Sequence, residues 1–143
     1  MNTFVLDASV ALKWTIPSVP EPLTDQALRL LRRYISGEVE FIVPDVFWAE
    51  VGNVLWKEVG RRRWAGEEAE MAASDMRARD FLTVSSFTLL PEALRIAFVY
   101  GRGVYDSLYA ALAVESQTEL ITADERLANA LAAYLPVKWL GAF

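Results

Sequence analysis

The chain has 143 residues, a formal net charge of −5, and neither cysteine nor histidine. Without cysteine there are no disulfides, thiol nucleophiles or thiolate metal sites, and without histidine there are no Ser-His-Asp triads and few options for zinc. Any catalysis in this chain must therefore depend on carboxylates, with or without a metal ion.

The length predicts a single domain over residues 1–143. No apolar run reaches about 18 residues and the start lacks the layout of a signal peptide, so a cytoplasmic protein without membrane contact is expected. The hydrophobic fraction of 54% predicts that some apolar surface contacts another protein. The negative net charge argues against nucleic-acid binding. A cluster of acids at one site could nevertheless make the net charge negative in a protein that also has a basic patch. The candidates for the apolar contact surface are Trp14, Trp48, Trp56 and Trp64.

The chain opens with a short strand that leads into an acid and then a helix. Phe4–Leu6 is an apolar, β-favouring run without polar alternation, which is typical of a strand buried on both faces of a parallel sheet. Asp7 follows this strand, and Ala8–Trp14 has a helical pattern. Open α/β sheets place their chemistry at such a junction, although helix capping is the simpler explanation of a lone aspartate there.

Strands and helices alternate along the rest of the chain, after a turn-rich break at Pro17–Pro22. Further strands are predicted at Glu40–Val43, Leu82–Ser85, Glu119–Thr122 and Val137–Leu140. Further helices are predicted at Leu23–Tyr34, Val46–Val59, Glu67–Phe81, Leu90–Tyr100, Leu108–Val114 and Glu125–Ala133. This alternation predicts an α/β fold, a three-layer α/β/α sandwich with a central parallel sheet.

Acids recur where helices begin. Asp45 precedes the helix at Val46, Asp106 precedes the apolar helix near the end of the chain, and Asp124 precedes the last helix. Each of these aspartates could serve as a helix cap. Because the starts of the helices in a parallel sheet lie along one edge, Asp7, Asp106 and Asp124 are nevertheless expected to converge.

The helix at Val46–Val59 carries polar residues on or beside its apolar stripe. Glu50 lies three residues after Phe47, and Asn53 follows one turn later. A surface position is the alternative for Glu50, but it can also reach the converging aspartates. Beyond this helix lies a basic loop of Arg61, Arg62 and Arg63, which is either a solvated charge run or a possible RNA phosphate contact.

Four carboxylates at one edge of a sheet predict a cation site. Like charges that lie close together raise one another's pKa and destabilise the fold unless a cation lies between them. With only oxygen donors, the suitable ion is Mg²⁺ or Mn²⁺. Such a site supports phosphodiester hydrolysis by metal-activated water, which needs no histidine.

The chain resembles PIN-domain ribonucleases, and most of all the VapC-type toxins of bacterial and archaeal toxin–antitoxin pairs. The resemblance rests on motifs that occur in order over nearly the whole chain: residues 5–14 (VLDASVALKW), Glu50 with Asn53, residues 105–113 (YDSLYAALA) and residues 122–127 (TADERL). One departure is Ser107, where the family more often has alanine.

The resemblance implies a PIN-like fold and a metal-dependent endoribonuclease that acts as a toxin. It implies a homodimer that a VapB-like antitoxin inhibits, and it leaves the RNA substrate unspecified. The implied catalytic and metal-binding residues are Asp7, Glu50, Asp106 and Asp124, with Ser9, Thr122 and Asn53 in supporting positions.

Other classes of protein also place acids at the edge of a parallel sheet. A receiver-type phosphoacceptor domain would have an acid pair after the first strand and a lysine after the last, and this chain has neither. A haloacid-dehalogenase-like phosphatase would have a second aspartate where Ser9 stands. A housekeeping PIN-fold nuclease in RNA processing and a non-catalytic PIN-fold binding module remain as alternatives, and the intact acid set argues against the second.

Overall fold

The computed structural model describes residues 2–15 and 23–143, in which five strands and seven α-helices are found. The strands are β1 (Asn2–Leu6), β2 (Val39–Pro44), β3 (Leu82–Val84), β4 (Glu119–Thr122) and β5 (Val137–Trp139). The helices are α1 (Ala8–Thr15), α2 (Thr24–Ile35), α3 (Val46–Gly60), α4 (Gly66–Ala78), α5 (Ser86–Tyr100), α6 (Val104–Glu115) and α7 (Glu125–Leu131). The break predicted at Pro17–Pro22 lies outside the described residues.

The described strands form one parallel sheet in the order β3-β2-β1-β4-β5, and the helices flank it. This confirms the predicted α/β/α fold. Strand β1 lies at the centre, with β2 and β3 on one side and β4 and β5 on the other. The order of the strands therefore reverses beside β1, and in open α/β sheets ligands bind beyond the carboxyl ends of the strands at such a switch point.

Strand β1 and helix α6 form the part of the core that lies beneath the switch point. Val5 and Leu6 of β1 are fully buried, as the unbroken apolar run predicted. Helix α6 is buried over its whole middle, from Ser107 to Ala113, and packs against α5 and the three central strands. A helix that is buried all round must be apolar all round, and its alanines allow close approach to the sheet. This packing fixes the start of α6 close to the end of β1.

Helix α5 begins four residues earlier than its apolar pattern predicted. Ser85 caps it by accepting a hydrogen bond from the backbone N–H of Phe87 at 3.2 Å. Pro91 therefore lies inside the helix rather than next to its first residue. The far end is as predicted, because Gly101 adopts a left-handed conformation with φ of 68° and ends the helix.

Asp45 does not cap α3, which corrects the prediction for this residue. Its side chain makes no capping bond to α3. Its Oδ2 instead accepts hydrogen bonds from the backbone N–H of Ser86 at 3.0 Å and from the Ser86 hydroxyl at 3.2 Å. Asp45 thus joins the end of β2 to the start of α5, a contact between distant residues that local sequence rules do not describe.

None of the helices in residues 2–15 and 23–143 has the length and hydropathy needed to span a lipid bilayer.

Candidate active site

Asp7 lies directly after β1 and is the most deeply buried of the four acids, with 7% of its surface exposed. Its Oδ2 accepts hydrogen bonds from the hydroxyls of Ser9 at 2.5 Å and Thr122 at 2.8 Å. The three side chains join the end of β1, the first turn of α1 and the end of β4. Ser9 and Thr122 are therefore placed beside Asp7, at the switch point of the sheet.

The same two hydroxyls also hold the loop that follows β4. Ser9 Oγ accepts a hydrogen bond from the backbone N–H of Ala123, and Thr122 Oγ1 accepts one from Asp124, each at 3.0 Å. Each hydroxyl therefore donates to Asp7 and accepts from the β4–α7 loop. This fixes the position of Asp124 relative to Asp7.

The environment of Asp7 disfavours its negative charge. Burial raises the pKa of Asp7 from 3.8 to about 6, against the opposing effect of the Ser9 and Thr122 hydrogen bonds. The value of about 6 includes smaller raising contributions from the charges of Glu50 and Asp106. A carboxylate in this position gains stability if a cation binds beside it.

Glu50 projects from α3 and is held by a buried tyrosine. The hydroxyl of Tyr109 donates a hydrogen bond to Glu50 Oε1 at 2.6 Å, and Tyr109 is fully buried in α6. Burial raises the pKa of Glu50, the Tyr109 hydrogen bond lowers it, and the charge of Asp106 raises it. Glu50 is half-buried, so the alternative of an ordinary surface position does not hold.

Tyr109 is a site residue that the sequence did not single out. Burial raises its pKa far above the usual range, and the charges of Asp7 and Glu50 raise it further, so it remains a hydrogen-bond donor. It lies three residues after Asp106 and therefore on the same side of α6. That spacing was the available signal, but a tyrosine in an apolar helix is more often a simple core residue.

Asp106 lies in the first turn of α6, where Gly103 rather than Asp106 is the N-cap. The capping explanation is therefore wrong for this residue. Burial raises its pKa, the guanidinium of Arg102 lowers it, and the charge of Asp124 raises it. Arg102 Nη2 lies 3.6 Å from Asp106 Oδ2.

Asp124 combines a capping role with a position at the rim of the site. Its Oδ1 accepts hydrogen bonds from the backbone N–H groups of Arg126 at 3.0 Å and Leu127 at 3.2 Å, so it caps α7 as the simpler explanation predicted. It is exposed to solvent. Its charge raises the pKa of Asp106, whereas the charge of Asp106 raises the pKa of Asp7 and Glu50, and that of Glu50 raises the pKa of Asp7.

The remaining predicted residues lie further away. Asn53 is exposed on α3, and it forms no hydrogen bond with the four acids. Arg61 and Arg63 lie in the loop after α3 and form ion pairs with the buried Glu58, with N–O distances of 3.4 and 3.7 Å. Arg62 is exposed in the same loop.

The four acids fit a hard divalent cation in their chemistry. All the donors are carboxylate and hydroxyl oxygens, which suit Mg²⁺ or Mn²⁺, and their mutual repulsion would be relieved by a cation. Within residues 2–15 and 23–143, however, no three acidic side chains are grouped closely enough to enclose an ion as they stand. Binding would therefore require side-chain movement, which is easiest for the more exposed members.

Comparison with known proteins identifies the family and the fold. The PIN domain family model matches residues 4–131. The structure is similar to PAE2754 from Pyrobaculum aerophilum, with a TM-score of 0.66 and 22% identity over 99% of this chain and 85% of that chain. No curated protein matches the chain significantly.

Two further similar structures are toxin–antitoxin assemblies. One is a toxin–antitoxin complex from Klebsiella pneumoniae, with a TM-score of 0.64 and 17% identity over 94% of this chain and 95% of that chain. The other is VapBC2 from Rickettsia felis bound to a DNA fragment from their promoter, with a TM-score of 0.63 and 14% identity over 96% of this chain and 98% of that chain. At these identities the likeness shows the fold alone.

Proposed function

Because the chain belongs to the PIN domain family, we propose that it is an endoribonuclease that depends on Mg²⁺ or Mn²⁺ and acts as the toxin of a type II toxin–antitoxin system. The observation that carries this proposal is the buried Asp7, whose pKa is raised to about 6 beside Glu50 and Asp106 at the switch point of the sheet. Such repulsion is costly unless a cation joins the acids.

In this proposal the catalytic and metal-binding residues are Asp7, Glu50, Asp106 and Asp124. The metal would supply an activated water and stabilise the oxygens of the phosphodiester that is cleaved. Ser9 and Thr122 orient Asp7 through their hydroxyls. Tyr109 orients Glu50 in the same way.

Cleavage of RNA by the purified protein tests the proposed activity. The wild type should cleave RNA with Mg²⁺ or Mn²⁺ and stop in EDTA. Asp106→Asn and Glu50→Gln should lose cleavage and retain the fold, whereas Asp25→Asn, at an exposed position in the first turn of α2, should not change it. Full activity in EDTA, or wild-type activity in both site variants, would contradict the proposal.

The proposed partner is a VapB-like antitoxin, and a groove of about 320 Å³ beside α4 offers it a surface. Trp14, Trp64 and Met71 provide apolar walls. Two acids, Glu68 and Asp75, and one base, Arg79, lie along the groove, so an apolar segment with basic residues opposite the two acids would fit. The groove contains two of the four tryptophans predicted to face a partner. Those two and Trp48 are half-buried against the core, and Trp56 is 71% exposed.

Expression in the cytoplasm of a bacterial host tests the proposed toxin role. The wild type should arrest growth, Asp7→Asn should not, and co-expression of a neighbouring small reading frame should restore growth and yield a co-purifying complex. Trp64→Ala should weaken that complex without reducing RNA cleavage. If wild-type expression leaves growth unchanged and no partner co-purifies, a housekeeping PIN-fold nuclease is the better account.

We also propose a homodimer, formed through an exposed apolar stripe on α5. The stripe consists of Phe87, Leu90, Leu94 and Phe98, with Phe87 89% and Phe98 80% exposed. Their spacing places them on one side of α5, and the opposite side is buried against α6. These side chains expose on the order of 500 Å². Self-pairing across a two-fold axis would bury about 1,000 Å², near the lower limit for a specific interface.

Light scattering tests the dimer. Phe98→Ser should convert the protein to a monomer, and Ile35→Ser, at a similarly exposed position at the end of α2, should leave the dimer intact. A wild-type monomer, or a dimer that persists in Phe98→Ser and Phe87→Ser together, would contradict this interface.

A further inference from the structure

Arg102 lies in the short linker between α5 and α6, next to the acidic site. Its Nη2 is 3.6 Å from Asp106 Oδ2, and 27% of its side chain is exposed. Its Nε is buried and has no hydrogen-bond acceptor. Among residues 2–15 and 23–143, Asp106 is the one acid that Arg102 contacts, at a distance longer than a normal hydrogen bond.

This arrangement leaves most of the binding capacity of Arg102 unused. A guanidinium carries five N–H donors in a planar fork, which match the oxygens of a phosphate in pairs. A buried donor without an acceptor is unfavourable, so the present position of the side chain is not its best one. An incoming anion could draw the guanidinium towards it at little cost.

In the described part of the chain, Arg61 and Arg95 are held more firmly than Arg102, because each forms a hydrogen bond with a glutamate. Arg95 forms two hydrogen bonds with Glu92, at 2.6 and 3.1 Å. Arg61 and Arg63 both pair with the buried Glu58. Arg102 therefore combines a position at the acids with a buried Nε donor that has no acceptor.

The backbone on both sides of Arg102 consists of glycines with free space around them. Its neighbours Gly101 and Gly103 have no atoms within 4 Å of the place where a side chain would begin. The linker backbone is therefore uncrowded at these two positions. An acidic site in a chain with a net charge of −5 also repels RNA, so a cation at the site is needed to hold the substrate.

We propose that Arg102 binds a backbone phosphate of the RNA next to the bond that is cleaved, which makes it a substrate-positioning residue; this rests on the proposed ribonuclease function. Arg102 turns from Asp106 to the phosphate, and its fork then contacts two phosphate oxygens. The linker between α5 and α6 thereby becomes part of the RNA-binding surface.

The salt dependence of RNA cleavage tests this inference. In Arg102→Gln, kcat/KM for a labelled single-stranded RNA in saturating Mg²⁺ should fall roughly tenfold or more, mainly through KM. The slope of log kcat/KM against log salt concentration should decrease in magnitude by about 1. Arg102→Lys should restore the slope, and the control Arg95→Gln should match the wild type.

Each other result overturns the inference. If the slope is unchanged while kcat falls, Arg102 acts only on Asp106, and if neither changes, it has no role. An equal loss of slope in Arg95→Gln would show a general charge effect. These results differ from a failure of the proposed ribonuclease function. If that function were wrong, the wild type itself would not cleave the RNA.

Discussion

In the metal-free protein, keeping the buried Asp7 carboxylate charged lowers the stability of the fold, and this effect depends on pH. Its folded pKa of about 6 lies above its ordinary value of 3.8, so the folded state binds more protons between these two values. Stability is therefore greatest at low pH for this group, and it is lost as the pH rises through about 6. The difference corresponds to roughly 3 kcal/mol.

We expect metal-free Asp7→Asn to be more stable than the wild type at pH 7, by up to about this amount. Asparagine can still accept the hydrogen bonds of Ser9 and Thr122 through its Oδ1. Thermal unfolding in EDTA at several pH values measures the effect, which should shrink as the pH falls towards 4. An equal difference at every pH, or a destabilised variant, would contradict the electrostatic explanation. Asp25→Asn is the control.

The pKa of Glu50 is raised chiefly by burial, and the hydrogen bond from Tyr109 opposes this rise. Tyr109→Phe deletes the hydrogen bond that lowers the pKa of Glu50, so that pKa should rise. Protons then compete better with the metal, and the acid limb of the cleavage profile at limiting Mg²⁺ should move to higher pH. Cleavage near neutral pH should fall roughly tenfold. Tyr105→Phe, at an exposed position on the same helix, should leave the profile unchanged.

The acids of the candidate site were singled out from the sequence, and Ser9 and Thr122 were expected to support them. Asp7, Asp106 and Asp124 could be placed together because the carboxyl ends of parallel strands share one edge of the sheet. The roles of Tyr109 and Arg102 could not be predicted, because they depend on the rotation of α6 and on the left-handed turn at Gly101. The rotation of α6 follows from packing, and although Gly101 was correctly predicted to end α5, the local pattern does not show that the turn places Arg102 beside Asp106.

Among the elements, α5 shows why helix boundaries are hard to predict. Its start depends on Ser85 and on Asp45, which is far away in the chain. We expect Asp45→Ala to lower the free energy of unfolding by about 1–2 kcal/mol, because Ser86 loses its acceptor. Urea unfolding measures this loss, with Asp25→Ala as the control.

Hydrogen exchange locates the effect of Asp45→Ala. Protection should fall at the first turn of α5 and remain at the first turn of α3, since Asp45 makes no capping bond to α3. Loss of protection at α3 alone would restore the capping role that the sequence predicted.

At the scale of the whole molecule, the alternation of strands and helices was sufficient to predict the parallel sheet and its flanking helices. The apolar excess was also a useful signal, but the sequence named only tryptophans and did not indicate the exposed phenylalanines of α5. Phe87 and Phe98 of α5 are more exposed than any of Trp14, Trp48 and Trp64. Exposure depends on which side of each helix faces the sheet, and α5 is apolar on both sides.

In the proposed function, Asp7 after β1, Glu50 on α3 and Asp106 on α6 together bind a divalent cation, Mg²⁺ or Mn²⁺. In the described residues no three acids are close enough to enclose an ion as they stand. Asp7, Glu50 and Asp106 must therefore come closer to one another when the ion binds. Isothermal titration of Mn²⁺ into the metal-free protein tests this directly. We expect saturable binding by the wild type and Asp25→Asn, and its loss in Asp7→Asn and Asp106→Asn. Equal Mn²⁺ binding by all four proteins, or none by the wild type, would contradict the account.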